Sequence, residues 1–299
     1  MFQVISDGPC DFTKKEAEEY NVKVVPAYIT FDGESYLKEG VEIDTEDYFK
    51  RLLADKTLRP KSAQPNPQDY IDACTPYLKD GKDVIIVTIS SKLSGSNSSA
   101  QTAAEMLKEE YPNRTVHVMD SQSVTIGQSL IIREILKMRD AGYSFEDTIA
   151  LAEKVRATTR IYVTLDTLEF LRRGGRVGPT TALVGGILGL RPILQVENGE
   201  VSQLDSIRGK KSAYKLMTEG VVASLADVKD DISISVGHIM SENDAIEFKA
   251  SIEDALGVQI STPITKIGAS VGTHAGPGAM GFAYCRKYNA FNNCKGVVA

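Results

Sequence analysis

The sequence from residue 83 to residue 107 reads D-V-I-I-V-T-I-S-S-K-L-S-G-S-N-S-S-A-Q-T-A-A-E-M-L. Residues 84–89 are a continuous β-branched apolar run, which predicts a strand buried on both faces, and residues 100–107 return to the apolar spacing of a helix. Between them lies a loop of hydroxyl side chains with one glycine, Gly95. At the carboxyl end of a parallel strand, such a loop is typical of an anion-binding turn, although many capped turns of this kind carry no ligand.

Around this stretch, strands alternate with helices through the first half of the chain, which predicts an α/β domain with a parallel sheet and helices on both faces. Asp7, Ser94 and Asp120 each follow a predicted strand, so they are expected on one rim of that sheet. After residue 157, the predicted elements include both β-hairpins and βα units. We therefore predict an N-terminal α/β domain over residues 1–157, a smaller C-terminal α+β domain over residues 158–299, and a ligand cleft between them.

Three local features complete the expected fold. Residues 22–31 are predicted to form one strand, and Ser241 is predicted to cap a helix. The Asn198-Gly199 pair predicts a tight hairpin turn, because both residues accept positive φ.

The composition excludes several classes of function. The 299 residues carry a net charge of −6, which argues against a nucleic acid or an anionic membrane as the main partner. The start lacks the pattern of a signal peptide, and the uncharged run 177–190 is short and broken by glycines and a proline, so a cytoplasmic protein without an integral membrane segment is expected.

The cysteines and the glycine motifs indicate no metal, disulfide or nucleotide site. Cys10, Cys74, Cys285 and Cys294 form no C-x-x-C pair and have no histidine at ligand spacing, so reduced thiols are expected. A G-x-G-x-x-G pattern spans residues 276–281. A dinucleotide site also requires an acidic residue after this pattern, and none follows it here.

Of the three histidines, one is a functional candidate. His117 and His238 fall in predicted strands, where structural roles are usual, whereas His274 falls in a glycine-rich segment that is predicted to be a loop. Ser94 and His274, with an acid such as Asp7 or Asp120, would suit a hydrolytic triad, but the strained G-x-S-x-G turn is absent.

A cluster of arginines and glycines follows the domain boundary, at Arg172, Arg173, Gly174, Gly175 and Arg176. It would suit a solvated helix end. It would equally suit a site for an oxyanion, because glycines let the backbone come close to a ligand while the guanidinium groups bind it. The apolar, glycine-rich run after it would suit plain core or the wall of a narrow apolar slot.

Taken together, these motifs resemble the DegV family of bacterial fatty-acid-binding proteins, and the resemblance covers essentially the whole chain. The segments that carry it are Ser62-Ala63-Gln64-Pro65, the hydroxyl loop 90–96, Asp120-Ser121 with Gly127, Leu171 to Arg176, Gly189-Leu190-Arg191-Pro192, and His274 with Gly276-Pro277-Gly278. The resemblance implies two α/β domains that hold one long-chain fatty acid, such as palmitate, stearate or oleate. It also implies a separate ATP-dependent fatty-acid kinase, which converts the bound acid to acyl phosphate for phospholipid synthesis.

The resemblance also assigns residues. Ser62, Ser94 and Gly95 are expected to hold the fatty-acid carboxylate, supported by His274 and by an arginine of the cluster. The expected lining of the acyl slot comprises Ile126, Leu183, Gly186, Ile187 and Leu190.

Two segments depart from the family pattern. The family usually has Thr-Ser-Gln-Pro where this chain has Ser62-Ala63, and Asp-Ser where it has Asp7-Gly8. The first hydroxyl of the head-group site is therefore kept and the second is lost.

The sequence therefore predicts a lipid carrier without catalytic activity of its own and without a cofactor or metal. A serine hydrolase using Ser94 and His274 is the alternative from another class. A sugar-phosphate or phosphotransfer protein is a third reading, which depends on fold analogy alone.

Overall fold

The structure is a computed structural model that describes residues 2–176 and 190–294. Its strands are β1 (Gln3–Asp7), β2 (Val22–Val25), β3 (Tyr28–Thr30), β4 (Leu37–Lys38), β5 (Lys61–Ala63), β6 (Val84–Thr88), β7 (Val116–Asp120), β8 (Arg160–Thr164), β9 (Leu190–Glu197), β10 (Glu200–Arg208), β11 (Ile232–His238), β12 (Thr265–Lys266) and β13 (Met280–Arg286). Its α-helices are α1 (Lys14–Glu19), α2 (Thr45–Ala54), α3 (Pro67–Lys79), α4 (Ser96–Glu110), α5 (Thr125–Asp140), α6 (Phe145–Thr158), α7 (Glu169–Gly174), α8 (Lys210–Leu216), α9 (Glu242–Leu256) and α10 (Ala269–Ala275).

The first half of the chain forms a four-stranded parallel sheet in the order β2-β1-β6-β7, as the sequence predicts. Every residue of β1 and β6 is buried, which explains why the run in β6 shows no alternation between apolar and polar residues. Asp7 and Asp120 end their strands and Ser94 follows β6, so all three lie at the carboxyl edge of this sheet.

The second half forms a six-stranded sheet in the order β10-β9-β8-β13-β11-β12, in which all pairs are antiparallel except β11 with β12. The hairpin between β9 and β10 turns at Asn198 and Gly199, whose φ angles are 52° and 83°. Both positive angles are those that the Asn-Gly pair predicts.

The prediction of one strand over residues 22–31 is wrong. Pro26 separates β2, which belongs to the parallel sheet, from β3, which pairs with β4 and β5 in a small third sheet. Proline lacks an N–H group and interrupts a hydrogen-bonded ladder, so the chain leaves one sheet there and enters another.

The start of α9 differs from the prediction that Ser241 caps it. Ser241 occupies the N-cap position, but its side chain accepts no cap hydrogen bond. Its backbone N–H donates instead to Nδ1 of His238 at 3.0 Å, which gives that buried histidine a structural role.

Helix α5 joins the two large sheets. It packs against β6 on one side and against β8, β11 and β13 on the other, and its buried residues extend around the whole helix. Most of these buried residues are apolar, and the exceptions include Gln128 and Glu134. One hydrophobic cluster therefore contains residues from both halves, including Val4, Leu130 and Ala283. The predicted boundary after residue 157 falls between the strands of the two large sheets and remains a prediction.

Among the described residues, no helix has the length and apolarity needed to cross a membrane. The same part of the chain contains no group of three or more His, Cys, Asp or Glu side chains placed to hold a metal ion. Cys10, Cys74 and Cys285 are buried and free.

Candidate functional site

A cavity of about 150 Å³ lies where the carboxyl ends of β1, β6 and β7 meet one face of the six-stranded sheet. This is the edge at which open parallel sheets bind ligands. Most of its wall is apolar. The apolar lining includes Ile89, Val124, Ile126, Ile161, Val163, Leu165, Leu171, Leu194, Val196, Val201, Ile267, Val271 and Ala279.

Five segments place polar groups at this cavity, and one of them is the start of α5 with Thr125. Ser62 on β5, Ser94 after β6, His274 on α10 and Arg176 after α7 all line it. Ser62 Oγ lies 2.8 Å from Nε2 of His274, a hydrogen bond between residues 212 positions apart. The structure therefore joins one predicted head-group residue from each half of the chain.

The hydroxyl loop is held by its own hydrogen bonds. Ser94 Oγ accepts from the Ser96 backbone N–H at 3.2 Å and donates to Ser96 Oγ at 3.3 Å. Asp120 accepts the backbone N–H groups of Ser91 and Gln122 at 3.2 and 2.9 Å. Because α4 begins at Ser96, the hydroxyl residues after Gly95 form the first turn of a helix rather than a loop.

His274 lies on the last turn of α10, so its predicted position in a loop is wrong. Burial and the positive charge of Arg176 lower the pKa of His274 to about 4, so the imidazole is neutral at pH 7. Its Nδ1 is buried and has no hydrogen-bond partner in the described part of the chain. His274 therefore contacts Ser62 as a neutral hydrogen-bonding group and not as a cation.

Gly174 determines where the His274 ring can lie. A Cβ atom at Gly174 would overlap His274 Nδ1, so the backbone of α7 occupies the position next to the imidazole ring. Position 174 therefore needs a glycine, because any side chain there would displace the imidazole ring.

The structure separates the three clustered arginines. Arg176 lines the cavity and donates from Nε to the carbonyl oxygen of Leu93 at 3.2 Å, beside Ser94. Arg173 lies over the ring of Phe170 at 4.6 Å, and Arg172 lies on the exposed surface of α7. Arg176 is thus the member of the cluster that reaches both the cavity and the hydroxyl loop.

The residues predicted to line the slot have different outcomes. Ile126 lines the cavity, whereas Leu183, Gly186 and Ile187 lie outside the described residues. Leu190 begins β9 and is not part of the described lining.

Gly95 is also absent from that lining. A Cβ atom at Gly95 would overlap the Gln64 side chain, so the backbone of the hydroxyl loop packs closely against the segment after Ser62. Gly95 therefore brings the two serine segments together, and no direct position at the cavity wall is observed for it.

Sequence reasoning missed the strand residues that form one wall. Ile161 and Val163 of β8 and Leu194 and Val196 of β9 line the cavity. Their spacing of two residues places each pair on one face of its strand. Tyr162, on the opposite face, packs into a separate cluster, so both faces of the strand are covered there.

The geometry does not form the triad of the alternative hypothesis. His274 Nε2 contacts Ser62, whereas Ser94 bonds to Ser96. Asp7 accepts from Ile89 and Gln128, so it does not orient His274. A general base adjacent to Ser94 and an acid behind it are what such catalysis requires.

The departures from the family pattern both fall near the site. Ala63 lines the cavity without a hydroxyl group. Gly8 begins a short 3-10 helix, and a Cβ atom there would lie 3.0 Å from the backbone nitrogen of Ala27.

Comparison with known proteins assigns the family. A family model described as "Uncharacterised protein, DegV family" matches residues 1–287. The chain belongs to the DegV family. A DegV domain-containing protein of Clostridium perfringens is 32% identical over 285 residues, which cover 95% of this chain and 99% of that protein.

Several solved structures share the fold. A stearic acid-binding protein from Eubacterium ventriosum has 30% identity and a TM-score of 0.92, and the match covers 97% of this chain and 100% of that one. A fatty-acid-binding DegV protein from Thermus thermophilus has 27% identity and a TM-score of 0.85, with coverage of 95% and 99%. DegV, a fatty acid binding protein from Bacillus subtilis, has 26% identity and a TM-score of 0.84, with coverage of 96% and 99%.

Proposed function

We propose that this protein binds one long-chain fatty acid, such as palmitate, stearate or oleate, in the cavity between its two large sheets. Ser62, Ser94 and His274 hold the carboxylate, and Arg176 closes the same end. The protein acts in the cytoplasm as a carrier without a cofactor. It presents the acid to a separate ATP-dependent fatty-acid kinase, which converts it to acyl phosphate.

The observation that carries this proposal is the hydrogen bond between Ser62 and His274 at the wall of a mostly apolar cavity. Hydroxyl and imidazole groups suit a carboxylate, since a buried anion needs hydrogen-bond donors. The apolar walls suit an alkyl chain. The three related structures above are described as fatty-acid-binding proteins, which supports the same ligand class here.

The two parts of the ligand would contribute differently. Each buried methylene group stabilises the complex by about 0.8 kcal/mol, so a long chain offers on the order of 10 kcal/mol before ordering costs. The polar groups add less, but they select an acid over an alkane or an ester.

Removing the Ser94 hydroxyl tests the head-group assignment. A hydrogen bond to a charged group contributes about 1.5–3 kcal/mol, so Ser94→Ala should weaken oleate binding by about 10- to 100-fold. Titration calorimetry measures the affinity, and phosphorylation by the kinase should fall in parallel. Ser98→Ala is the matched control, because Ser98 lies on the exposed side of α4 and outside the described lining.

Equal oleate affinity in Ser94→Ala and Ser98→Ala would remove Ser94 from the site.

A serine-directed covalent probe separates the carrier from the hydrolase alternative. An unactivated hydroxyl group should not be labelled, whereas labelling at Ser94 or Ser62 would favour an enzyme.

A further inference from the structure

Asp7 is a buried carboxyl group next to the hydroxyl loop. It is 0% exposed and ends β1. Its oxygens accept the Ile89 backbone N–H at 3.1 Å and the Gln128 Nε2 amide at 2.7 Å. Both donors are neutral, and no ion pair includes Asp7 within the described ranges. A buried carboxyl group without a cation favours its protonated form.

A chain of hydroxyl groups connects Asp7 with the cavity. Ser96 is 1% exposed, its hydroxyl group lies next to the Asp7 carboxyl group, and Ser96 also lines the cavity. Ser94 donates to Ser96 Oγ at 3.3 Å and lines the cavity. Asp7 therefore lies two hydroxyl groups away from the proposed position of the fatty-acid carboxylate.

The direction of these hydrogen bonds matters for the ligand. Ser94 has one hydroxyl hydrogen, and its hydrogen-bond acceptor in the structure is Ser96 Oγ at 3.3 Å. To bind a carboxylate, Ser94 must turn this hydrogen toward the ligand, and Ser96 then needs another donor. A protonated Asp7 supplies one, since its O–H can donate to Ser96, Ser96 to Ser94, and Ser94 to the ligand.

We infer that binding of the fatty-acid anion is coupled to uptake of one proton by Asp7, so that Asp7 and the ligand share a single negative charge across Ser96 and Ser94. The inference rests on the proposed function. The proton comes from solvent and forms an O–H bond on the Asp7 carboxylate, and no other covalent bond changes. Two carboxylates close together in a buried site cannot both ionise at low cost, which drives the uptake.

The surroundings of Asp7 agree with this assignment. Burial raises the pKa of Asp7 to about 6, and the hydrogen bonds from Gln128 and Ile89 limit that rise. The titratable neighbours that interact with it in the described structure are Cys10, Asp11 and Tyr70, and none is a cation. A bound anion would raise the pKa of Asp7 further.

The sign of the expected pH dependence follows from linkage. Below about pH 6 Asp7 is protonated with or without ligand, so no proton is taken up. Between that pH and the pKa of Asp7 in the complex, binding takes up one proton. In this window the oleate affinity should fall about tenfold for each unit of rising pH.

Calorimetry of oleate binding in two buffers of different ionisation enthalpy measures the proton count directly. Between about pH 6.5 and 8, the wild-type protein should take up about one proton per oleate at the maximum. Asp7→Asn should bind oleate with no proton uptake and with an affinity that does not change with pH. Asp11→Asn, which removes a neighbouring buried carboxyl group, is the matched control and should keep the uptake.

Each outcome decides the inference. Wild-type binding without proton uptake, or undiminished uptake in Asp7→Asn, would overturn it; the second result would place the proton on His274 or on the ligand. Absence of oleate binding by the wild-type protein would instead contradict the proposed function.

If Asp7→Asn does not fold, infrared difference spectra of ¹³C-aspartate-labelled Asp11→Asn protein replace the calorimetry of that variant. Oleate should then produce a protonated aspartate band, and its absence would contradict the inference.

Discussion

Replacing Val163 with Phe should lower the affinity for palmitate or oleate by about 100-fold while the protein stays folded. Val163 lies on β8, and its side chain lines the cavity together with Ile161 and Leu194. Phenylalanine adds four carbon atoms and would displace about four methylene groups of the ligand. At about 0.8 kcal/mol for each group, the loss is about 3 kcal/mol. Titration calorimetry checks the affinity.

Val163→Ile is the matched control, since it adds one methylene group at the same place. It should weaken binding only severalfold and shift the preference toward a shorter chain. Thermal unfolding of both variants tests the fold. Wild-type affinity in a folded Val163→Phe protein would show that the acyl chain lies elsewhere.

Replacing Gly174 with Ala should weaken fatty-acid binding by about 30-fold. The added methyl group would occupy the position of His274 Nδ1, so the imidazole ring must move and its hydrogen bond to Ser62 is lost. Loss of a hydrogen-bonded head-group contact corresponds to about 2 kcal/mol. The substitution changes no charge and adds no polar atom, so its effect reports the position of the ring.

A double-mutant cycle separates this effect from a general loss of stability. In a His274→Ala background the ring is absent, so Gly174→Ala should change the fatty-acid affinity by less than about threefold. Equal effects of Gly174→Ala in both backgrounds would mean that Gly174 acts on binding without His274.

The parallel sheet follows directly from local sequence patterns. The apolar run in β6 indicates a strand buried on both faces because neighbouring strands and helices cover it completely. Helix starts are equally local, as at Asn66, which forms a capping box with Asp69 in the first turn of α3. These features depend on residues a few positions apart, so local sequence patterns predict them.

Other features depend on contacts between distant residues, and local patterns do not reveal them. Nothing near Ser62 or His274 predicts their hydrogen bond, and only the family resemblance indicates both residues. The choice of Arg176 over Arg173 depends on where α7 ends relative to Leu93. The strand pattern places Asp7 on the correct rim, but its contacts with Gln128 and Ser96 depend on the packed structure.

The cavity wall is hard to predict for a related reason. In β9, Leu194 and Val196 line the cavity and alternate with the polar Gln195 and Glu197, but this period of two predicts only a strand and does not show what its apolar face covers. The glycine-rich run that is expected to form the slot includes Leu183, Gly186 and Ile187, which lie outside the described residues.

Mass spectrometry of an organic-solvent extract of the protein purified from cells tests the central claim most directly. The account predicts a long-chain fatty acid in an amount comparable to that of the protein, and a higher Tm when palmitate or oleate is added to delipidated protein. An extract without fatty acid, together with a Tm that neither acid raises, would contradict it.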